Sequence, residues 1–239
     1  MNKQQLAAKI WESANQMRSK IEPQEYKDYI LGFIFYKYLS EQLVTFVKDQ
    51  EMTEEEIKSL NEEDAETLEF VQSKLGYFIS YDNLFSTWID PTTDFDESNV
   101  RDALSAFSRL IHEDHKSLFD GIFTTLDTGL IKLADTTGKR TKAISDLLYL
   151  IKSIPMGGNS DYDVLGYIYE YLIEKFASNA GKTAGEFYTP HEVSLLMSEI
   201  IAYELKHKDQ IYIYDPTSGS GSLLINIGNS VAKHAKSKD

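Results

Sequence analysis

Apolar residues recur at helical spacing through the first half of the chain. Leu6, Ile10, Ala14 and Met17 share one helical face, and Pro23 interrupts that pattern. A second helix of about 20 residues is predicted next, carrying Tyr26, Ile30, Phe33, Ile34, Leu43, Val44 and Val47. It is apolar over much of its circumference, as the central helix of a bundle must be. An acidic stretch follows, with Ile57, Leu60, Leu68 and Val71 at roughly helical spacing. The run from Gly76 to Trp88 mixes strand-like and turn-like residues and is closed by Asp90-Pro91. Weaker helical patterns cover Asn99–His112 and Lys142–Ser153.

Pro155-Met-Gly-Gly-Asn-Ser160 brings two glycines together with turn-forming residues and reads as a domain boundary. Beyond it the pattern predicts a helix with Asp161 or Asp163 as its N-cap and Leu165, Ile168, Leu172 and Phe176 on one stripe. After the loop Ser178–Gly185, another helix is expected to bury Val193, Leu196, Met197, Ile200, Ile201 and Leu205. Ile211-Tyr-Ile-Tyr214 reads as a short strand, and a helix is expected from about Leu223. The fold expectation is a mainly α N-terminal helical domain over 1–153. The start of an α/β domain is expected over 160–239, its one strand lacking most of its sheet neighbours. The apolar Ile-x-Ile faces would then be exposed unless another chain covers them, which makes self-association an expectation.

Charge narrows the picture. With 24 Lys and Arg against 38 Asp and Glu the net charge is −14, so contacts to the phosphates of a nucleic acid would have to come mostly from a partner or from other sequence. Nine carboxylates and a single lysine lie between Glu51 and Glu69, which fits a solvated helix face and linker, with an acidic partner surface as the sharper alternative. There is no cysteine, so disulfides and thiolate metal sites are excluded. No signal-like segment opens the chain, and the apolar run Tyr29–Tyr36 is far short of the ~20 residues of a membrane span. The expectation is a cytoplasmic protein without membrane contact.

Two motifs carry chemistry. In Asp215-Pro216-Thr217-Ser218-Gly219-Ser220-Gly221-Ser222, a strand ends in Asp, a glycine-rich turn follows, and a helix begins. Such a turn lets a ligand approach bare backbone N–H groups and the positive end of a helix. It lacks the third glycine of a dinucleotide fingerprint and the Gly-Lys-Ser/Thr of a phosphate loop. In Gly185-Glu186-Phe187-Tyr188-Thr189-Pro190-His191-Glu192, Thr189 suits an N-cap, Pro190 the first helical position, and Glu192 the third residue of a capping box. Phe187 and Tyr188 just before it could wall a flat or sulfonium-bearing ligand. Taken singly, either motif also has an ordinary structural reading, a tight turn or a helix cap.

Together, a Gly-Glu-Phe-Tyr-Thr-Pro segment about 25 residues before Asp-Pro-x-x-Gly-Ser-Gly resembles the adenine-N6 DNA methyltransferase subunits of type I restriction–modification systems, the HsdM-type proteins. The helix preceding the first motif, from Asp163 to Ala177, and the N-terminal segments Ile10–Arg18, Glu25-Tyr26 and Leu31–Ser40 share in the resemblance. It implies an S-adenosylmethionine site formed by Glu186, Phe187, Tyr188, Thr189, Pro190 and His191 with Asp215, Pro216, Gly219, Ser220, Gly221 and Ser222. Ser222 stands where the family often has glycine, and His191 where an arginine can occur. The resemblance also implies partners: a DNA-specificity subunit, a second methyltransferase subunit, a restriction subunit, and duplex DNA held mainly through the complex.

The family's Asn/Asp-Pro-Pro-Tyr/Phe tetrapeptide, which holds a flipped adenine, does not occur in these residues. The expectation is therefore a chain that stops before the catalytic motif, has no catalytic residue of its own, and is silent as a methyltransferase alone. Two other readings stay open: a methyltransferase of the same shape acting on RNA, protein or a small molecule, and a pure interaction module docking the specificity subunit. His112 and His115 lack a third ligand placed in sequence, and no metal site is expected.

Overall fold

Pro23 opens the helix around which the first half is organised, at a position where its missing N–H costs nothing. A computed structural model describes residues 3–17, 23–156, 164–179, 189–208, 210–218 and 221–236. The chain divides into two compact units, Met1–Asp161 and Tyr162–Asp239.

In the first unit, α1 (Lys3–Met17) is followed by α2 (Pro23–Asp49), which packs against α1, α4 (Ala65–Leu75), α5 (Phe85–Trp88), α8 (Thr124–Gly129) and α9 (Thr137–Lys152). Tyr29, Ile30, Phe33, Ile34, Tyr36, Leu39, Leu43 and Val47 of α2 are buried. Its longer side chains carry polar tips that find backbone acceptors. Tyr29 donates to the Gly129 carbonyl and Tyr36 to that of Asn83, each at 2.9 Å. Burial raises the Tyr36 hydroxyl pKa far above its ordinary value, so it remains a donor. Gly129 is glycine because a Cβ there would lie 2.2 Å from the Tyr29 hydroxyl. By length and composition, Asp28–Asp49 could cross a membrane, so the apolar character is longer than the Tyr29–Tyr36 run read from sequence. Here that character builds the core of the unit, and Lys37, Ser40 and Glu41 interrupt it.

The acidic stretch resolves into helix ends. Thr53 and Glu56 form a capping box on α3 (Glu54–Lys58), and Asp64 caps α4. Hydrogen bonds from Thr53 and from Thr67 hold the Glu56 and Asp64 carboxyls, respectively, below the usual carboxylate range. The Gly76–Trp88 run yields one antiparallel bridge, Tyr77 to Ile111, and then a 3-10 turn and α5. The two weaker patterns are α6 (Glu97–Arg109) and α9. Buried Glu97 joins them: Arg140 of α9 donates two bonds to its carboxylate, and the Thr141 hydroxyl accepts from its N–H at 3.1 Å. At the centre, Tyr36 stacks on Trp88 with ring centres 4.8 Å apart, and Phe107 packs edge-on to Phe119 and Phe123. Short α7 (Lys116–Phe119) completes the unit's helices among the described residues.

The second unit holds α10 (Val164–Asn179), α11 (His191–Leu205) and α12 (Ser222–Lys236). On α10, Ile168 and Leu172 are buried and Leu165 is half-buried, while its proposed caps Asp161 and Asp163 lie outside the described residues. Ile211–Tyr214 belongs to no strand, and among the described residues no sheet is formed. The strand expectation is corrected on a simple ground: a β-ladder needs a neighbour for its N–H and C=O groups, and alternation alone supplies none. Of the Ile-x-Ile face expected to be exposed, Ile213 is 40% exposed and Ile211 half-buried, while Tyr212 and Tyr214 on the other side are 90% and 87% exposed.

Candidate functional site

The glycine loop is built by short local bonds. Thr217 donates to Asp215 Oδ1 twice, from its backbone N–H at 2.8 Å and from its hydroxyl at 3.0 Å. Asp215 Oδ2 is buried without a partner among the described residues. An acceptor in that condition is costly unless a ligand donor meets it. The Gly221 N–H then closes a turn onto the Ser218 carbonyl at 2.7 Å, and α12 begins at Ser222. Gly221 has φ +78, a left-handed conformation that favours glycine, and among the described residues no atom lies within 4 Å of where its Cβ would be. The loop therefore offers three things together: open space over a bare backbone, the N-terminus of a 15-residue helix, and one unmet carboxylate oxygen. An amino-acid-bearing cofactor, with its carboxylate and ammonium, suits those donors and that acceptor. Asp215 is half-buried, Pro216 exposed, and Gly219 and Ser220 lie outside the described residues. Thr217, which orients Asp215, is the site residue the motif comparison passed over. Its Asp-x-Thr spacing is the signal that could have found it.

The aromatic motif is described only in part. Glu186, Phe187 and Tyr188 lie outside the described residues, so their meeting with the glycine loop stays a reading of the sequence. Thr189 is half-buried and Pro190 is exposed. The cap differs from expectation by one residue. Pro190 is the N-cap, with ψ 141, and its carbonyl accepts from the N–H groups of both Val193 and Ser194 at 3.0 Å. His191 is thus the first helical residue and Glu192 the second, a register that does not form the predicted capping box with Thr189. The physical reason is the extended ψ of Pro190, which delays helix entry.

A larger correction concerns the face that α11 buries. Ser194, Ser198 and Ala202 are buried, at one residue per helical turn. Val193, Leu196, Met197 and Ile200, expected inside, are 45%, 62%, 43% and 57% exposed. Small residues let α11 and α12 approach closely, and polar partners fill the seam. Asn226 donates to the Ser194 hydroxyl at 2.9 Å, and Glu199 accepts from Ser230 and Lys233 and faces His234 at 3.2 Å. Those bonds, that from Ser230 foremost, hold the Glu199 carboxyl below its ordinary range.

Among the described residues, no three His, Asp or Glu side chains cluster as metal ligands. His112 instead caps a 3-10 turn, its Nδ1 accepting from the Asp114 N–H at 3.3 Å.

Comparison with known proteins converges on one family. Residues 6–151 match the HsdM N-terminal domain, and residues 160–239 match the N-6 DNA Methylase family. The methylase subunit of the type I restriction enzyme MpnII from Mycoplasma pneumoniae is 29% identical over 96% of this chain and 45% of its own length. That of MjaVIII from Methanocaldococcus jannaschii is 28% identical over 94% of this chain and 35% of its own. The crystal structure of a type I restriction–modification methyltransferase subunit from Streptococcus thermophilus superposes with a TM-score of 0.77, at 31% identity, covering 97% of this chain and 50% of that one. The chain thus spans half or less of the length of these relatives. A helical unit matching one domain model, followed by a glycine loop inside the match to the other, makes this chain a member of the HsdM family of type I restriction–modification methylase subunits.

Proposed function

We propose that these residues form the cofactor shelf of an adenine-N6 DNA methyltransferase, working in a type I assembly where chromosomal DNA is accessible, in the cytoplasm. The observation that carries this is the Asp215–Ser222 loop, with an unmet Asp215 Oδ2 and a positive-φ Gly221 at the mouth of α12. S-adenosylmethionine supplies an electrophilic methyl group when bound. Asp215 would accept from its amino end, the α12 N-terminus with Gly221 would face its carboxylate, and Phe187, Tyr188 and Thr189 would wall it from the other side. Thr217 holds Asp215 through Oδ1, so that Oδ2 carries the unmet acceptor. The tetrapeptide that would hold a flipped adenine is absent from these residues, and a charge of −14 disfavours unaided grip on DNA. Holding the base is therefore proposed for the complete subunit, and DNA binding mainly for its assembly with a specificity subunit, a second methyltransferase subunit and a restriction subunit.

Calorimetry with S-adenosylmethionine tests the shelf. Binding is expected to be weak, and to fall by about tenfold or more in Asp215→Ala and in Gly221→Asp, which would set a carboxylate against that of the cofactor. Binding that both variants leave untouched would overturn the assignment. For the reaction, labelled-methyl transfer by the assembled enzyme should place label on adenine N6 of duplex DNA. Label on cytosine, RNA or protein would overturn the substrate.

A further inference from the structure

A cleft of about 340 Å³ opens within the first unit between α2, α5 and the C-terminal end of α9. Val44, Phe85 and Ile89 give it apolar surface, and Lys37, Lys48 and Lys152 bring three ammonium groups to it in a chain of net charge −14. The three lysines differ in how they are answered. Lys48 pairs with Glu54 at 3.1 Å, an exposed and screened contact, and Lys152 lies 5.8 Å over the Tyr149 ring. The side chain of Lys37 is only 3% exposed. Its ammonium donates to the Ile154 carbonyl, pairs with Glu41 at 2.6 Å, and lies 5.8 Å from the Phe85 ring centre. An ammonium has three donors. Among the described residues two oxygens face it and no third is recorded, so a buried cation lining this cleft lacks one acceptor.

We propose that the cleft receives an acidic side chain of a partner polypeptide, an aspartate or glutamate next to an apolar residue. The carboxylate takes the open donor of Lys37 between Lys48 and Lys152, and the apolar neighbour covers Val44, Phe85 and Ile89. Duplex DNA fits the cleft poorly. Its phosphates gain nothing from an apolar floor, and a train of them would meet Glu41 and Glu54, which already pair with Lys37 and Lys48. A single carboxylate brings one charge to three lysines and so meets less of that repulsion. The inference stands apart from the cofactor reading, since it concerns other residues in the other unit.

The test is an NMR titration of the whole 239-residue chain, following the signals of Val44, Phe85 and Ile89. Three probes are used: acetyl-Leu-Glu-Leu-amide, its glutamine counterpart, and inorganic phosphate. The glutamate peptide should shift these signals saturably, and the glutamine peptide should bind about tenfold more weakly. Lys48→Glu with Lys152→Glu, both at exposed positions, should abolish the shifts while leaving the thermal melt unchanged. Equal binding of the two peptides, absence of shifts at these residues, or phosphate binding as tightly as the glutamate peptide would each overturn the proposal. The last would reassign the lysines to phosphate recognition.

Discussion

Both α2 and α11 are apolar over much of their surface, yet they treat that surface in opposite ways. α2 turns Tyr29, Ile30, Phe33, Leu43 and Val47 into the interior of the first unit, all 2% exposed or less. α11 buries Ser194, Ser198 and Ala202 against α12 and leaves Leu196 and Tyr203 at 62% and 57% exposure. The first unit therefore carries a core of its own. The helix pair α11–α12 of the second unit joins through small and polar residues, with Ile227 buried beside them, and α11 leaves most of its larger apolar residues outward. A face of that kind is built to be covered. The difference shows that hydrophobic periodicity locates a helix but does not say which of two apolar-looking faces its neighbour takes.

The comparison can be broken most forcefully in the first unit. Phe107→Ala removes a ring packed among Tyr36, Tyr77, Phe119 and Phe123, and should cost about 3–5 kcal/mol in urea denaturation. A loss below about 1 kcal/mol would show that this cluster is not the core. Gly129→Ala should cost about 2–3 kcal/mol, because the new methyl collides with Tyr29 and displaces its bond to the Gly129 carbonyl. If Gly129→Ala cost as much in a Tyr29→Ala background, where the ring is gone, the clash would not be the cause.

In the second unit, comparable changes should be nearly silent. Leu196→Lys with Ile200→Lys, both on the outward face of α11, should move stability by no more than about 0.5 kcal/mol per site. The same pair should lower any self-association seen by sedimentation at high concentration. A large loss of stability would mean that this face is internal after all.

The smallest effect concerns acid. The Glu199 carboxyl is held below its ordinary range by Ser230, Lys233 and His234, so its contribution is complete above the unfolded value of about 4.3 and is lost as pH falls through the lower folded value. NMR signals of α11 and α12 should weaken in that acid window, and Glu199→Gln should flatten the dependence. Unchanged acid sensitivity in the variant would assign it to other carboxylates.

The glycine loop was legible in the sequence because it is local, although the part that Thr217 plays in it was not. Asp215, Thr217 and Gly221 lie within seven residues, and hydrogen bonds along that stretch and a positive φ are enough to form the loop. The N-cap at Pro190 was missed by one position because the choice depends on a single backbone torsion that residue type permits either way. The reach of Phe187 and Tyr188 toward that loop remains a sequence-based expectation.

What the sequence determined by itself is what neighbours along the chain can decide: the helix of α2 behind Pro23, the capping of α3 and α4 by Thr53 and Asp64, and the glycine turn before α12. Only the tertiary structure decided that Ser194 and Ser198, rather than Leu196 and Ile200, meet the partner helix. It also decided that Ile211–Tyr214, for all its alternation, pairs with no strand, and that Lys37 is buried under the end of α9. The reason is the same in each case. Turns and caps are satisfied by atoms a few residues away, whereas a face, a ladder or a buried charge is defined by a partner that the local pattern does not contain.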